Sequence, residues 1–297
     1  MKKSFSILIG ICLILILIPT LALSATLIQV KGSDTEVNVV QLLAEVFMKK
    51  NPNYSIAVTG GGSGVGIAAI INKTTDLANA SRPMKDSEIA QAKANKVNPV
   101  GAIFAVDGLS LIINPKNSVK ALTIDQIGQI FRGELINWKQ AGGADIPITL
   151  YGRQPNSGTF VFFREAVVRG DYSNKMNQMN GNAQILEAIK KDPGGIGYVG
   201  IGYVVDDSGK VVSGIHVCDV AKDSRSKPFS PLKLENILNG AYPLTRPLYQ
   251  YFDANNRAKV EAFIKFELSP EGLAIIQKEG FYPLTDQWKK HNDQFNF

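Results

Sequence analysis

The strongest constraint on the fold is a regular alternation between strand-like apolar stretches and segments with helical periodicity. The strand-like stretches are TLIQV (26–30), SIAVT (55–59), DLANA (76–80), GAIFAV (101–106), LSLIIN (109–114), ITLYG (148–152) and IGYVG (196–200). Helical spacing groups three apolar faces: Val39, Leu43, Val46 and Phe47 over 37–50; Ile67, Ile70 and Ile71; and Phe160, Phe163 and Val167. This alternation predicts an α/β architecture with mainly parallel sheets. In such sheets, ligands bind beyond the carboxyl ends of the strands, where helices begin.

Three of the predicted strands run into loops of small and hydroxyl residues that lead directly into a helix. These loops are KGSDT (31–35), GGGSGVG (60–66) and GRQPNSGT (152–159). A helix N-terminus offers unpaired N–H groups and the positive end of the helix dipole, and both favour an anion. Glycine permits close approach of the backbone, and each hydroxyl adds a hydrogen-bond donor. The three loops together predict an anion-binding site.

Ordinary helix capping is the alternative explanation of these loops, since Ser, Thr, Asp and Asn are preferred at N-caps. Capping accounts for a single serine or aspartate. It does not account for the run Gly60-Gly61-Gly62, or for Arg153 beside Ser157-Gly158-Thr159. We therefore interpret the three loops as one anion site, while capping stays the alternative for each loop taken alone.

The same loops do not match the common phosphate and nucleophile motifs of enzymes. GGGSGVG is not followed by the Lys-Ser or Lys-Thr of a P-loop, and neither G-x-G-x-x-G nor G-x-S-x-G fits it. The histidines are His216 and His291, and the cysteines are Cys12 and Cys218. With so few of these residues, a zinc-type site or a Ser-His-Asp triad is not expected. We predict a binding protein rather than an enzyme, with no cofactor and no metal.

Residues 1–24 have the pattern of a secretory signal peptide. A basic start precedes an apolar stretch over 7–18, and Ala22-Leu23-Ser24 supplies small residues for cleavage. An uncleaved membrane anchor is the alternative, because the apolar stretch is somewhat long. We expect a periplasmic or otherwise extracytoplasmic protein. Removal of the segment leaves Cys218 alone, so no internal disulfide is expected.

The charge balance favours a small ligand over a nucleic acid. Removing the signal lowers the formal net charge from +6 to +4, because Lys2 and Lys3 leave and no acidic residue does. There is no basic run of the kind that nucleic-acid binders show, so no nucleic-acid partner is expected. We interpret the mild surplus as weakly favouring a small anion. The length suggests two domains.

Several motifs, in their order and spacing, resemble the substrate-binding proteins of phosphate ABC transporters. The motifs are VKGSDT, VTGGGSGVGIAAI, ANASRPM, LTIDQIGQIFRGELINWKQAGG, YGRQPNSGTFVFF and GGIGYVG, and the resemblance covers about 26–297. It implies a two-lobe periplasmic binding protein fold of type II, which closes over one phosphate ion in the cleft between the lobes. It also implies a monomer that delivers phosphate to an ABC transporter permease. By similarity, we expect the following division: 26–114 and 246–297 in the first lobe, 115–245 in the second, and hinge crossings near Asn114-Pro115 and Arg246-Pro247.

The resemblance also implies phosphate contacts at the helix-start groups described above. These are Thr35, Ser63, Arg153, Ser157, Gly158 and Thr159, with Ser33 and Asp34 added from the same first loop. The chief departure from the family pattern is Arg82, in ANASRPM, where familiar members place an aspartate that accepts the proton of hydrogen phosphate. A second departure is Pro155, where an acidic residue is common.

Arg82 bears on which anion is bound. Hydrogen phosphate carries a proton that sulfate lacks, so a buried acceptor favours phosphate and disfavours sulfate. With Arg82 in that place, we expect two guanidiniums to face the anion and Asp34 to be the candidate acceptor, a plain helix N-cap being its alternative role. If Asp34 does not face the site, sulfate, molybdate and tungstate become more credible ligands. The alternative from another class is a secreted hydrolase of phosphate esters, against which the scarcity of histidine speaks.

Overall fold

Two five-stranded mixed sheets form the framework of the protein in the computed structural model, which describes residues 25–206 and 208–297. Within these residues the strands are β1 (Thr26–Gly32), β2 (Tyr54–Thr59), β3 (Leu77–Ala80), β4 (Pro99–Gly108), β5 (Ser110–Ile113), β6 (Ala121–Thr123), β7 (Thr149–Arg153), β8 (Asn177–Met179), β9 (Gly195–Val199), β10 (His216–Val217), β11 (Asp219–Ala221) and β12 (Thr245–Asp253). The first sheet has the order β2-β1-β3-β12-β4, and the second has the order β10-β5-β9-β7-β8. Strands β6 and β11 form a separate parallel pair.

Helices cover the sheets and connect the strands. They are α1 (Val37–Lys50), α2 (Ser63–Ile71), α3 (Asp86–Ala94), α4 (Ile124–Arg132), α5 (Gly158–Phe163), α6 (Asn182–Lys191), α7 (Leu234–Leu238), α8 (Arg257–Glu267), α9 (Pro270–Lys278) and α10 (Asp286–Asp293). A wider helical turn, Arg164–Val168, continues α5. We call the first sheet with α1–α3 and α8–α10 the first lobe, and the second sheet with α4–α7 the second lobe. The predicted two-lobe α/β fold is confirmed.

Most strands in each sheet run parallel, and the strand that enters from the other lobe runs antiparallel. In the first sheet β1 is parallel to β2 and β3, whereas β12 is antiparallel to both of its neighbours. In the second sheet β7 is parallel to β8 and β9, whereas β5 is antiparallel to both of its neighbours. Strands β5 and β12 each start at the crossing between lobes, at the edge where the parallel strands end. The sheets are therefore mixed rather than simply parallel.

The chain crosses from the first lobe to the second between β4 and β5, and it returns immediately before β12. The two crossings are adjacent, because Leu109 N donates to Leu244 O at 2.9 Å. The sequence prediction assigned the strand at 109–114 to the first lobe. Strand β5 instead pairs with β9 and β10 of the second sheet, so the first crossing lies at Leu109, before the predicted position at Asn114-Pro115. Strand pairing decides the lobe to which a strand belongs, and local sequence does not reveal it.

The helical faces predicted from the sequence are packed inward. Helix α1 spans the predicted range and buries Val39, Leu43 and Phe47, while Val46 is only half-buried. The isoleucines of α2 are buried as predicted. Phe163, the last residue of α5, is fully buried. Burial of these apolar faces stabilises the helices by about 25 cal/mol per Å² of apolar surface, and it fixes the loops in front of them.

The predicted signal peptide at 1–24, with Cys12, lies outside the described residues. In the part of the chain that is described, no helix combines the length and the apolar content that crossing a membrane requires. Cys218 is a buried, free thiol in the second lobe. Burial raises the pKa of Cys218 to about 12, which makes it an unreactive group.

Candidate functional site

Three loops meet where the carboxyl ends of strands from the two sheets face each other. The first loop, at 33–36, follows β1; the second, at 60–62, follows β2; the third, at 154–157, follows β7. Parallel pairing of β1 with β2 places the first two loops side by side, and Gly62 N donates to Gly32 O at 2.8 Å. The three segments predicted to form one anion site therefore lie together in the fold.

Glycines let the second and third loops approach closely across the cleft. Gly62 has a φ of +95°, and a Cβ at that position would lie 2.8 Å from Asn156 O. Gly64 N donates to Asn156 O at 2.9 Å, and Asn156 Nδ2 donates to Gly61 O at 3.0 Å. A side chain at Gly62 would push the two loops apart. Direct contacts between the lobes thus close the cleft along this edge.

Arg153 provides a buried guanidinium between the lobes. It ends β7, and its side chain is only 2% exposed. Nη2 donates to Asn180 O at 2.9 Å and forms an ion pair with Asp34 Oδ2. Nε is buried and has no hydrogen-bond partner among the described residues. Because a buried donor without a partner costs free energy, Arg153 holds a donor that a ligand can satisfy.

Asp34 faces Arg153 and does not cap helix α1. Its Oδ1 accepts a hydrogen bond from Gly61 N at 2.8 Å, and its Oδ2 accepts one from Arg153. The N-cap position of α1 is Glu36, which makes no side-chain capping bond. The geometry thus excludes the N-cap role of Asp34 and places its carboxylate against Arg153, and its role toward a ligand stays a prediction. Each carboxylate oxygen has two lone pairs, so Asp34 can still accept a proton from a ligand.

Hydroxyl groups from both lobes contact one another at the base of the cleft. Thr35 Oγ1 of the first lobe lies 3.1 Å from Thr159 Oγ1 of the second. Ser63 Oγ accepts a hydrogen bond from Ser81 N at 3.1 Å and lies 3.3 Å from Ser81 Oγ. All four residues are buried. Since every hydroxyl can donate one hydrogen bond, this group forms a set of donors shielded from water.

Helix α5 directs its N-terminus toward these first-lobe hydroxyls. Ser157 is the N-cap, and its Oγ accepts a hydrogen bond from Phe160 N at 3.4 Å. A Cβ at Gly158 would come within 2.3 Å of Ser63 Oγ and 2.7 Å of Ser81 Oγ. The N–H groups of a first helical turn have no carbonyl partners within the helix and carry the positive end of its dipole. Gly158 thus allows these backbone donors to come close to the first lobe.

A chain of hydrogen bonds holds the end of β7 in place. Tyr198 Oη accepts from Arg153 N at 3.2 Å and lies 3.1 Å from Tyr172 Oη, which donates to Phe160 O at 2.9 Å. The Tyr198 ring stacks on Phe163, with 4.0 Å between the ring centroids. Burial raises the pKa of Tyr198 to about 12, so its hydroxyl stays protonated. These contacts fix the backbone of Arg153 relative to the start of α5.

Two of the predicted ligand residues, Arg82 and Ser33, make no hydrogen bond to Arg153 or Asp34 among the described residues. Arg82 donates through Nη1 and Nη2 to both carboxylate oxygens of Glu88, at 2.8 and 2.7 Å. The expectation that Arg82 supplies a second guanidinium facing the anion therefore disagrees with the geometry, because a carboxylate in the first turn of α3 engages it. The hydroxyl of Ser33 is buried and has no hydrogen-bond partner among the described residues.

Four residues of the cleft were missed by the sequence reasoning. Tyr203 Oη donates to Asp34 O at 2.7 Å, and Ser81 contacts Ser63 as described. Arg246 Nε and Nη2 donate to Asp107 Oδ2 at 2.9 and 2.8 Å in a fully buried ion pair. Ser81 stands within ANASRPM, so that motif carried a signal. Asp107 and Arg246 are 139 positions apart, and no local spacing connects them.

The site is rich in donors and poor in groups that react. Within residues 25–206 and 208–297, no group of three or more His, Cys, Asp or Glu side chains could hold a metal ion. His216 lies in β10, and His291 Nε2 lies 2.8 Å from Gly101 O, so neither histidine is paired with a cleft hydroxyl. The arrangement can hold an oxyanion by its oxygen atoms. A catalytic base for a serine or threonine nucleophile is not provided by either histidine.

Two comparisons with known proteins show the family to which the chain belongs. A family model described as the PBP superfamily domain matches residues 20–271. The chain is 34% identical over 272 residues to the phosphate-binding protein PstS of Pseudomonas aeruginosa, and the match covers 85% of this chain and 81% of that protein.

Solved structures show the same architecture. One neighbour is a protein from Clostridium perfringens, described as a phosphate ABC transporter substrate-binding protein and solved with bound phosphate. It has a TM-score of 0.76 and 30% identity, covering 87% of this chain and all of that chain. An ABC-type phosphate transport receptor from Vibrio cholerae has a TM-score of 0.68 and 26% identity, with 86% of this chain and all of that chain covered.

Proposed function

This chain belongs to the PBP superfamily and, within it, to the phosphate-binding proteins, and from that premise we propose that it captures inorganic phosphate outside the cytoplasm and delivers it to an ABC importer. The relative from P. aeruginosa carries the name phosphate-binding protein, and the neighbour from C. perfringens holds phosphate. The residues of the cleft supply the chemistry that such a ligand requires.

The observation that carries the proposal is the buried guanidinium of Arg153 with its unpartnered Nε. It lies in the cleft to which both lobes contribute hydroxyl and backbone donors. Hydrogen bonds to a charged group contribute about 1.5–3 kcal/mol each, so a few of them hold a small dianion firmly. We assign phosphate contacts to Thr35, Ser63, Arg153, Ser157, Gly158 and Thr159, and we add Asp34 as the acceptor. Arg82 is left out because Glu88 holds both of its Nη atoms, although its Nε is a buried donor without a partner. Ser33 keeps a buried hydroxyl without a hydrogen-bond partner and stays a candidate contact.

Asp34 is the residue that distinguishes phosphate from sulfate in this proposal. Its carboxylate is paired with Arg153, yet it retains acceptor capacity toward the ligand. A protonated oxygen of hydrogen phosphate donates to that carboxylate. Sulfate has no proton to donate, so the same carboxylate repels it. Asp34 thus takes the part that the family pattern gives to the position occupied here by Arg82.

The protein binds phosphate without transforming it. The cleft offers neither a metal cluster among the described residues nor a histidine beside a nucleophile. Closure brings Thr159 and Arg153 of the second lobe against Thr35 and Asp34 of the first, so the ligand is enclosed between the lobes. We infer a monomer with a cleavable signal at 1–24 that releases phosphate to a membrane permease when the lobes separate.

Isothermal titration calorimetry of the purified protein tests this function. Phosphate, sulfate, molybdate and tungstate are titrated separately at one ionic strength. The proposal predicts one phosphate bound per chain and much weaker binding of the three other anions. Tighter binding of sulfate, molybdate or tungstate than of phosphate would assign the site to another oxyanion. Turnover of p-nitrophenyl phosphate, with or without divalent metals, would indicate a hydrolase instead.

A further inference from the structure

A second arginine, Arg246, joins the hinge to hydroxyls of both lobes. It lies at the start of β12, where the chain returns to the first lobe, and it is buried. Nη1 donates to Ser81 O at 3.1 Å. Nη2 donates to Thr159 Oγ1 at 3.0 Å and, in a longer contact, to Thr35 Oγ1 at 3.4 Å. Arg246 thus contacts the first-lobe and second-lobe hydroxyls from the side of the hinge.

The charge of Arg246 is neutralised by Asp107, which is itself fixed to the second lobe. Asp107 is the penultimate residue of β4, and its Oδ2 accepts from both Nε and Nη2 of Arg246. Its Oδ1 accepts from Ile201 N, which follows β9, at 2.8 Å. The Arg246 guanidinium also lies over the ring of Phe162 in α5, 5.2 Å from the ring centroid. Both partners of this ion pair therefore contact the opposite lobe in the closed state.

The direction of these hydrogen bonds determines where the hydroxyl protons point. A guanidinium only donates, so Thr35 and Thr159 act as acceptors toward Arg246. In the closed structure one of these hydroxyls donates to the other, because their oxygen atoms lie 3.1 Å apart, and an anion that enters between them can accept both protons. An oxyanion in the cleft accepts such protons. A hydroxyl that Arg246 does not hold rotates freely, so fixing its direction when the anion binds costs part of the binding free energy. Arg246 has the geometry to orient both hydroxyls as donors.

We propose that Arg246, held by Asp107, is a positioning residue that sets the hydroxyls of Thr35 and Thr159 as donors to the bound anion and thereby couples anion binding to lobe closure. This inference rests on the proposed phosphate site and extends it to the hinge. Both arginines are paired with an aspartate, so they differ in their free donors. Nε, Nη1 and Nη2 of Arg246 all have partners within the protein, so Arg246 contributes by orienting the hydroxyls. Arg153 keeps an unpartnered Nε that can contact the anion directly.

A mutant cycle between Arg246 and Thr159 tests the proposal. Thr159→Val removes the oriented hydroxyl, and the double variant Asp107→Asn with Arg246→Gln removes the orienting pair without changing the net charge. We expect Thr159→Val to weaken phosphate binding about 10- to 100-fold in the wild-type background. In the background lacking the pair, the same substitution should cost less than about 3-fold, because the hydroxyl is no longer oriented. A purely structural role of the pair would give equal costs in both backgrounds, and equal costs overturn the proposal.

Two further variants keep the test decisive. If circular dichroism shows that the double variant does not fold, Arg246→Lys replaces it in the cycle. Lysine keeps the positive charge next to Asp107 but lacks the planar guanidinium that donates several hydrogen bonds at once. Arg132→Lys is the matched control, because Arg132 pairs with Glu134 on the outside of the second lobe and should leave the affinity unchanged. Wild-type protein that binds no phosphate would overturn both this inference and the proposed function. Wild-type binding with equal costs in the cycle would overturn this inference alone.

Discussion

Arg153 of the second lobe and Asp34 of the first form an ion pair across the cleft, with the arginine side chain almost completely buried. The pair combines the two groups that the proposed phosphate site requires. Arg153 supplies a cation and an unpartnered N–H, and Asp34 supplies an acceptor for a ligand proton. Because each residue belongs to a different lobe, closure of the lobes also assembles the pair.

Removing the arginine should abolish most of the phosphate affinity. We expect Arg153→Ala to weaken phosphate binding by about two to four decades, the loss of two charge-assisted hydrogen bonds of about 1.5–3 kcal/mol each. The fold should survive, since the side chain lies between the lobes. Calorimetry measures the affinity, and the matched control is Arg164→Ala, which removes an exposed arginine paired with Asp171. Wild-type affinity in Arg153→Ala would exclude this residue from the site.

Replacing the aspartate should relax selectivity more than affinity. Asp34→Asn keeps an oxygen that can accept from Gly61 N and removes the negative charge that repels sulfate. We expect phosphate binding to weaken by about 1–2 kcal/mol, the scale of one altered buried hydrogen bond, while sulfate begins to compete measurably. Competition isotherms of the two anions give the result. Asp171→Asn, at an exposed position, is the control, and unchanged selectivity in Asp34→Asn would leave the proton acceptor unidentified.

A side chain at Gly158 should obstruct closure. The added Cβ would lie 2.3 Å from Ser63 Oγ, a distance that the closed cleft cannot accommodate without movement. We expect Gly158→Ala to weaken phosphate binding about 10- to 100-fold, in line with the ~1–3 kcal/mol cost of overpacking. Small-angle scattering should show that phosphate reduces the radius of gyration of the wild type but not of the variant. Gly181→Ala, where a Cβ meets nothing within 4 Å, should close like the wild type. Normal closure of Gly158→Ala would contradict the contact.

Two buried carboxyls should make the fold less stable as the pH rises. Burial, the largest cause, raises the pKa of Glu36 and that of Glu267 well above the ordinary value. The folded protein then keeps protons that the unfolded chain loses above about pH 4.3, so the stabilisation is complete below that pH and declines as the pH rises. We expect Glu267→Gln, which retains an acceptor for Gln250 Nε2, to raise the Tm at alkaline pH.

The measurement is the Tm as a function of pH between about pH 5 and 8, where the linkage acts. The decline of the Tm with rising pH should be smaller for Glu267→Gln than for the wild type. The control is Glu271→Gln on the neighbouring helix, which removes a half-exposed partner of Lys50 and should keep the wild-type slope. Equal slopes for the wild type and Glu267→Gln would show that Glu267 is ionised in the folded protein.

The parts of this protein that the sequence predicted are those with local signals. The periodic apolar residues of α1 predicted its range, and the glycine and hydroxyl loops predicted where anion donors gather. The remainder depends on pairing between distant segments. Strand β5 belongs to the second sheet because of its neighbours β9 and β10, and Arg82 is engaged by Glu88 of the following helix. The Arg246–Asp107 pair forms only when the two hinge strands lie side by side.

In the proposed complex, one phosphate ion binds between the lobes on Arg153 and the buried hydroxyls. The most direct test is a crystal structure of the protein grown with phosphate and without sulfate. We expect one anion within hydrogen-bond distance of the Arg153 guanidinium, Ser63 Oγ and Thr159 Oγ1, with the carboxylate of Asp34 against one of its oxygens. A cleft without an anion at saturating phosphate, or an anion bound away from Arg153, would contradict it.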